Sequence, residues 1–421
     1  MVDRMTTRSA NGWTRRAALI GSAATLAACG APGGDIGGGS NGVTDDSIRL
    51  GQSWPTSGAA AAVFGPMLDA IRAWQQHLNA TEGGVMMADG KLRRIDLRTA
   101  DDGLDPSRAI QNARYLVERE NVFAMISPAG TANSTAISTY TERASIPLLY
   151  VLSGARHWTD TARFRWSVGL QPSSEVEGRI WARWLARNHP GARIGLLRDN
   201  TDFGHDLEYG LQAEIAAGAL PVTIAAVQGY QPTDTTLASQ ITNLRAAGSN
   251  VFFNGATPQF AALGYKALVR SGWEPELNLL TNASPDPTTV IEPAGYDALQ
   301  GVRCLLFLKD PADPQFIDSL DVVLWREVME RYSPRTPRNQ LTFWASSLLQ
   351  ATVETLRAAE APTRRAVMDA AHTLDATLPA LAPGIRIRNT PQTNRPISQF
   401  ALGQLVGEHF QVDGEVIGLD D

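Results

Sequence analysis

Two adjacent carboxylates, Asp101 and Asp102, follow a segment that alternates like a half-buried strand, "RIDLRT" (94–99). Such a pair could bind a metal ion or share the roles of general acid and general base. More often it caps the next helix or lines the edge of a cleft. The six histidines add no HExxH motif and no i, i+4 pair that would complete a catalytic or metal centre. The sequence therefore predicts a protein that is not an enzyme, without a metal ion or cofactor.

Two enzyme motifs also occur in the glycine-rich segment near the N-terminus. Residues 38–42 fit the G-x-S-x-G nucleophile elbow, and residues 37–42 fit the G-x-G-x-x-G dinucleotide motif. Each motif functions only between a strand and a helix, and the surrounding Gly, Ala, Ser and Asn residues predict neither. We therefore interpret residues 30–45 as a flexible tether.

The segment before the tether has the features of an export signal. Arg15 and Arg16 precede a short uncharged run, and a stable membrane span would need roughly 20 apolar residues. A basic start and a short apolar core are typical of a secretory signal, and the arginine pair suggests twin-arginine export. "LAAC" (26–29) resembles the lipobox of bacterial lipoproteins, in which the cysteine is lipidated. We predict a signal peptide over 1–29, with Cys29 as the lipid attachment site, and a location outside the cytoplasm at the cell membrane.

The composition of the remaining chain excludes several functional classes. The net charge is −6 and no basic stripe suggests nucleic acid binding. No later apolar run is long enough to predict a membrane span, so membrane contact is expected through the lipid alone. About 390 residues follow the signal, which is too many for one compact core. Cys304 lies in an apolar run and is expected to be buried and unpaired. We expect a monomer with two domains.

The elements that must position a site alternate regularly along the chain. Between residues 46 and 152 we predict four strands separated by three helices, and the same α/β rhythm continues to about residue 281. Asp105-Pro106 predicts the N-cap and first residue of one of these helices, and the continuous apolar run 122–127 predicts a strand that is buried on both faces. Residues 309–375 are predicted to be mostly helical, and the chain is predicted to end in a hairpin that turns at Asp413-Gly414. This pattern specifies the α/β class, with two doubly wound layers.

Open α/β sheets bind ligands outside the carboxyl ends of their strands. The loops at these ends are rich in Gly, Ser, Thr and Asn, which leave backbone N–H groups free to bind an anion where a helix begins. Trp54 directly follows the first predicted strand and could stack on a ligand, the alternative being that it packs in the wall. The two layers are predicted to enclose a small molecule in a hinged cleft. The other loops are 128–131, 152–155, 199–204, 254–257 and 282–284.

Ordered motifs over residues 46–415 resemble the solute-binding proteins of bacterial ABC importers, of the leucine/isoleucine/valine-binding type. They are "IRLGQSWPTSG", "LNATEGG" with "DDGLDPSRA", "FAMISPAGTANSTA", "IPLLYVLSG" with "FRWSV", and "LLRDNTDFG". The resemblance implies the type I periplasmic binding fold, with two lobes joined by a multi-strand hinge. It assigns 46–167 and 309–390 to lobe 1, and 168–308 and 391–421 to lobe 2. It also implies that solute binds between the lobes and that the closed form docks on an ABC permease.

The resemblance also implies roles for individual residues. Thr131 takes the place of a serine that holds the ligand carboxylate, and Leu152, Ser153 and Gly154 fall on a loop that contacts the ligand. Phe203 stands where an aromatic residue flanks the cleft. The complete set of predicted ligand-binding residues is Trp54, Gly130, Thr131, Leu152, Ser153, Gly154, Asp202, Phe203, Asn254 and Asn282.

Two departures from the family pattern bear on the ligand. Amino-acid binders of this type usually carry a hydroxyl where Gly154 stands and an acidic residue near Asn282 that pairs with the ligand ammonium. Here the nearby polar residues are Ser284 and Asp286, and a buried ammonium needs a suitable partner. The solute could therefore be an amino acid, an aromatic or aliphatic carboxylate, or a neutral polar molecule. The alternative functions are a sensing receptor that is not coupled to import and a secreted hydrolase.

Overall fold

The computed structural model describes residues 41–392 and 394–419. The predicted signal peptide, Cys29 and most of the predicted tether, 30–40, lie outside the described residues. Up to Gly169 the elements are β1 (Ser47–Trp54), α1 (Ala61–Thr81), β2 (Val85–Met86), β3 (Leu92–Asp101), α2 (Pro106–Glu118), β4 (Ala124–Ile126), α3 (Thr131–Ala144), β5 (Leu148–Val151) and β6 (Ser167–Gly169).

The second part of the chain continues the alternation. Its elements are α4 (Ser174–Asn188), β7 (Ala192–Asp199), α5 (Asp202–Gly218), β8 (Val222–Tyr230), α6 (Ala238–Ala246), β9 (Val251–Gly255), α7 (Pro258–Ser271), β10 (Leu277–Leu280), α8 (Pro287–Val290) and β11 (Arg303–Leu306). The C-terminal part contains α9 (Leu320–Tyr332), α10 (Gln340–Ala358), α11 (Arg364–Ala371), β12 (Asp375–Ala376), β13 (Ile387–Arg388), β14 (Gln399–Val406) and β15 (His409–Gly418).

The first sheet has the strand order β2-β3-β1-β4-β5-β6. All neighbours pair in parallel except β2 and β3. The short strands β4 and β5 are buried throughout, as expected for parallel strands covered on both faces. Helix α2 begins where the sequence predicts, because the Asp105 side chain accepts hydrogen bonds from two backbone N–H groups and Pro106 occupies the first turn. The four strands and three helices predicted over 46–152 are present, and the structure adds the short strand β2 between α1 and β3.

The second sheet has the strand order β15-β14-β11-β10-β9-β7-β8. Strands β7 to β11 run parallel, and β14 and β15 join them in antiparallel pairing. Helices α9 and α10 pack against α1 on the side of the first sheet. The two-lobed α/β class is confirmed, whereas the residue bounds of the lobes stay a prediction. Among the described residues, no helix is long and apolar enough to cross a membrane.

The predicted C-terminal hairpin exists, but its predicted turn is wrong. Val406 pairs with His409, so the chain turns at Gly407-Glu408, while residues 413–414 continue β15. Gly407 has a φ of +63°, a conformation that glycine adopts without the cost of a Cβ clash. Both dipeptides contain glycine, and the general preference for Asp-Gly in hairpins indicated the wrong one.

Candidate ligand-binding site

A cavity of about 320 Å³ lies between the carboxyl ends of strands from the two sheets. The first sheet contributes the loops after β4 and β5, and the second sheet contributes the loops after β7, β8, β9 and β10. Helices α1 and α10 complete the wall. The lining residues include Phe64, Gly130, Thr131, Leu152, Ser153, Gly154, Gln171, Asp199, Phe203, Tyr230, Phe260 and Trp344.

One end of the cavity is suited to an anion. Helix α3 begins at Thr131, and its N-cap residue is Gly130, which has a φ of +84° and no side chain to cap the helix. The first N–H groups of a helix have no acceptor within the helix, and the helix dipole favours negative charge there. The Thr131 Oγ1 and Ser153 Oγ atoms lie 2.6 Å apart. Backbone donors and two hydroxyl groups therefore converge at this end.

The rest of the wall is largely apolar and aromatic. The Tyr230 and Phe260 rings stack with centroids 4.4 Å apart. The Tyr230 hydroxyl accepts a hydrogen bond of 3.0 Å from the Thr257 backbone N–H, which fixes the ring at the end of β8. Phe64 and Trp344 add aromatic surface from α1 and α10. The cavity thus combines an end lined by hydrogen-bond donors with an apolar body.

Asp199 is a carboxylate in the lining, and it also organises the loop after β7. Its Oδ1 accepts hydrogen bonds from the Thr201 N–H (3.1 Å), the Thr201 hydroxyl (2.9 Å) and the Gly204 N–H (3.0 Å). Burial raises the pKa of Asp199, against the effect of these donors. Thr201 in turn caps α5 by accepting from the Phe203 N–H. This arrangement places Phe203 in the cavity wall.

The Asp101 and Asp102 pair stabilises the turn after β3. Asp101 accepts from the backbone N–H groups of Thr56 (2.8 Å) and Ser57 (3.0 Å), and Asp102 accepts from the Ser53 hydroxyl at 2.7 Å. Burial raises the pKa of Asp102. Of the alternatives considered for this pair, capping the next helix does not apply, since Asp105 caps α2. Within 41–392 and 394–419, no group of three His, Cys, Asp or Glu side chains could hold a metal ion.

The structure brings six of the predicted ligand-binding residues to the cavity wall. They are Gly130, Thr131, Leu152, Ser153, Gly154 and Phe203. That these residues bind a ligand stays a prediction.

Two other predicted residues, Trp54 and Asn254, lie within the packed interior. Trp54 has no exposed surface, and its indole N–H donates to the Phe64 carbonyl at 2.7 Å. It packs edge-on against the Phe64 ring, with centroids 5.5 Å apart. Of the two predicted positions for Trp54, stacking on a ligand or packing in the wall, the structure shows the second. Asn254 is also fully buried, and its Nδ2 donates to the Ala261 carbonyl at 3.0 Å. Both side chains position lining elements from behind.

A buried glutamate, Glu177, holds Asn282 in place, and no pattern in the sequence indicated this pairing. The Glu177 carboxylate, on α4, accepts from the Asn282 N–H (2.7 Å), the Asn282 Nδ2 (2.6 Å) and the Thr281 hydroxyl (2.8 Å). Burial raises the pKa of Glu177 to about 7, against the effect of these hydrogen bonds. The Asn282 Oδ1 accepts from Gln171 Nε2 at 3.3 Å. Gln171, and not Asn282, therefore reaches the cavity.

Asp202 is the remaining residue of the predicted ligand-binding set. It lies beside the cavity lining and faces His157, which follows β5. Their Oδ2 and Nδ1 atoms are 3.2 Å apart. Burial lowers the pKa of His157, whereas the Asp202 charge raises it. Cys304 is buried and unpaired as predicted, and its burial raises the pKa of the thiol.

Gly154 permits a close contact between the two parts of the chain. A Cβ atom at this position would lie 2.5 Å from the Ser174 Oγ and 2.7 Å from the Pro172 carbonyl oxygen. The Ser174 N–H donates to the Gly154 carbonyl at 2.8 Å. The loop after β5 and the start of α4 can approach this closely only because residue 154 has no side chain.

Several lining residues were missed by the sequence reasoning. Phe64, Trp344 and Phe260 lie on helices, where their spacing is indistinguishable from that of core residues. Tyr230 ends β8, and the rule that ligands bind at carboxyl ends could have selected it. Gln171 follows β6, at a crossing between the two sheets, and no pattern in the sequence indicated it.

Comparisons with known proteins agree with this arrangement. A family model described as periplasmic binding protein matches residues 47–409. Leu/Ile/Val-binding protein homolog 7 of Brucella abortus (strain 2308) is 19% identical over 302 residues, which are 69% of this chain and 72% of that relative.

Two solved structures have a similar fold. A branched chain amino acid ABC transporter protein from Thermus thermophilus with bound valine has a TM-score of 0.76 at 16% identity. A solute binding protein of an ABC transporter from R. palustris, in complex with 4-hydroxybenzoate, has a TM-score of 0.71 at 14% identity. Each similarity covers 89% of this chain and 97% of the other.

Proposed function

The chain belongs to the periplasmic binding protein family, and on this premise we propose that it is the solute-binding protein of an ABC importer. Its solute is a small carboxylate with an apolar body, aromatic or aliphatic. The solute binds in the cavity between the two sheets, a hinge closes around it, and the closed form delivers it to a membrane permease. Cys29 carries a lipid that holds the protein at the outer face of the cell membrane.

The observation that supports this proposal is the arrangement of the cavity, with hydrogen-bond donors at one end and apolar surface along the rest. At the Thr131 end, uncapped backbone N–H groups and the Ser153 hydroxyl offer donors to a carboxylate. The stacked Tyr230 and Phe260 rings offer apolar surface to the rest of the molecule. Binding sites typically combine a mostly apolar wall with a few such polar groups. The two solved structures of similar fold support the proposal through their own ligands, valine and 4-hydroxybenzoate.

The position of Glu177 favours a carboxylate without an ammonium group. Three hydrogen bonds hold its carboxylate behind Asn282, so the acid of this region does not line the cavity. Asp199 does line it, but its Oδ1 already serves Thr201 and Gly204. The site therefore lacks the acid near Asn282 that the family resemblance associates with amino-acid ligands.

Thermal unfolding of the purified protein with matched solutes tests the ligand class. A ligand that binds only the native state raises the melting temperature. We expect 4-hydroxybenzoate or isovalerate to do so, and 4-hydroxybenzamide, which lacks the negative charge, to have no effect. Valine alone raising the melting temperature would contradict the proposed class and indicate a partner for an ammonium. If a wider panel of carboxylates also leaves it unchanged, the carboxylate proposal fails.

Two site variants connect binding to the cavity. Thr131→Ala removes a hydroxyl at the anion-binding end and should weaken carboxylate binding about tenfold. Thr139→Ala is the matched control, because Thr139 lies exposed on the same helix and its hydroxyl donates to the Ala136 carbonyl within that helix. Equal affinities of the two variants would place the carboxylate elsewhere.

Uptake and turnover separate the proposed function from its alternatives. Cells that lack this protein should lose high-affinity uptake of the solute, and they should regain it with the wild-type gene. Unchanged uptake with a lost transcriptional response would favour a sensing receptor. Chemical conversion of the solute by the purified protein would favour a hydrolase.

A further inference from the structure

We propose that five residues beside the cavity form an inter-sheet latch that holds the cleft closed, even without a solute. The residues are Arg156 and His157 on the side of the first sheet, and Asp202, Asp206 and Tyr209 on the side of the second. They are positioning residues for solute capture. The inference rests on the proposed hinge closure, but its test needs no solute.

The latch joins segments that belong to different sheets. Arg156 and His157 lie between β5 and β6, the last two strands of the first sheet. Asp202, Asp206 and Tyr209 lie on α5, which follows β7 of the second sheet. A hinge motion that opens the cleft at this edge would therefore pull the two sides of the latch apart.

Arg156 makes three different contacts with α5. Its backbone N–H donates to Asp206 Oδ2 at 2.6 Å, and its Nε lies 3.0 Å from Asp206 Oδ1. Its guanidinium lies 4.3 Å from the centre of the Tyr209 ring, within the range of a cation–π interaction. Bonding through both carboxylate oxygens fixes the relative position of the two segments more strictly than a single surface ion pair does.

Asp206 depends on Arg156 for its donors. Its side chain is 9% exposed, and within the described chain its carboxylate accepts hydrogen bonds from Arg156 alone. The other charged groups near it are Asp202 on the same helix and Glu175 on α4, and both are acidic. Losing Arg156 would leave this buried carboxylate among like charges, which is unfavourable.

His157 forms the second contact across the cleft. Its Nδ1 lies 3.2 Å from Asp202 Oδ2, and its Nε2 lies 3.4 Å from the Thr135 hydroxyl on α3. The ring packs against Trp158 and Phe164, with centroids 4.5 and 5.3 Å away. This packing places the imidazole in position to face α5.

The latch adjoins the cavity on both sides. Gly154 lies two residues before Arg156, and Phe203 follows Asp202, and both line the cavity. A solute that draws the two loops together would bring the latch residues into contact at the same time. The latch and the solute therefore stabilise the same closed arrangement, and a latch formed in advance raises solute affinity.

Distance measurements on the solute-free protein test the latch. Spin labels on Arg119→Cys at the end of α2 and Ala246→Cys at the end of α6 report the separation of the sheets, in a Cys29→Ser background. Cys304 is buried and should not be labelled. We expect pulsed electron resonance to find a closed population in the labelled protein. Arg156→Ala should lower the ratio of closed to open molecules in the labelled protein by at least about tenfold.

Control variants separate the latch from general destabilisation. Asp206→Asn should lower the closed population as Arg156→Ala does, and the double variant should add little, because the two residues act as one unit. Arg183→Ala is the matched control, because the Arg183 pair with Glu214 joins α4 to α5 on one side of the cleft. Thermal unfolding checks that each variant is folded.

Two results of this distance measurement would overturn the proposed latch. An unchanged closed population in both latch variants would refute it, and so would a solute-free wild type that is entirely open. Neither result bears on whether the cavity binds a carboxylate. Conversely, a failed search for the solute leaves these distances, and the conclusion drawn from them, intact.

Discussion

Glu177 makes the stability of the protein dependent on pH, and Glu177→Gln should remove its contribution to that dependence. The carboxylate is fully buried on α4 and accepts hydrogen bonds from Thr281 and Asn282. Burial outweighs these donors and raises its pKa from 4.5 to about 7. The unfolded chain, in which the group is solvated, releases the proton near its ordinary pKa of 4.5.

The sign of the effect follows from this difference in pKa. Between pH 4.5 and 7 the folded protein binds a proton that the unfolded chain has released. The contribution of Glu177 to stability is therefore fully present below pH 4.5 and is lost as the pH rises through about 7. One pKa unit corresponds to ~1.4 kcal/mol, so the loss amounts to about 3 kcal/mol.

Urea unfolding followed by tryptophan fluorescence measures this effect. The experiment compares the free energy of unfolding of the wild type with that of Glu177→Gln at several pH values between 4.5 and 8. The free energy of unfolding of the wild type, minus that of the variant, should fall by about 3 kcal/mol across this range. Taking the difference removes the titration of groups that the two proteins share, including Asp199 and Asp206, whose pKa values burial also raises.

Glu214→Gln supplies a control with the opposite sign. The pKa of Glu214 is lowered, because its hydrogen bonds and ion pairs with Arg179 and Arg183 outweigh its burial. Its contribution to stability is present above pH 4.5 and is lost as the pH falls, so the corresponding difference should stay flat from pH 5 to 8. A flat difference for Glu177→Gln as well would refute the account of the buried carboxyl.

Three further predictions concern separate parts of the chain. Gly154→Ser should destabilise the protein by about 2 kcal/mol because its Cβ would overlap Ser174, whereas Gly65→Ser, where a Cβ meets no neighbour within 4 Å, should leave the thermal unfolding temperature nearly unchanged. Arg364→Met should cost about 3 kcal/mol in urea unfolding, because it removes donors to the buried carbonyls of residues 122 and 123. Cys29→Ala should move the protein from the membrane fraction to the soluble fraction, and unchanged retention on an immunoblot would disprove the lipid anchor.

The sequence predicts the elements of this fold well where local chemistry determines them. The cap at Asp105 and the continuous apolar run of β4 depend on neighbouring residues, and both occur as predicted. Thr131 and Ser153 come together for a related reason, since they follow adjacent parallel strands whose carboxyl ends share one edge. Knowing the strands was enough to predict that their loops meet.

The residues that were misplaced depend on contacts between distant segments. Asn282 does follow a strand, but Glu177, 105 residues away in sequence, turns it from the cavity. Trp344 lies on a helical face that could equally belong to the core, and only the packing of α10 beside the cleft brings it to the lining. Neither outcome can be worked out without knowing which helices cover which sheet.

The missing side chain at residue 154 limits how ligand preference can change by mutation. The family resemblance associates amino-acid binding with a hydroxyl at this position, but a new Cβ would meet both the Ser174 side chain and the Pro172 backbone. Trimming Ser174 would relieve only the first contact, so the start of α4 must move before a hydroxyl can be accommodated. The order of mutational steps is therefore constrained, and a path through Gly154→Ser passes first through a less stable protein.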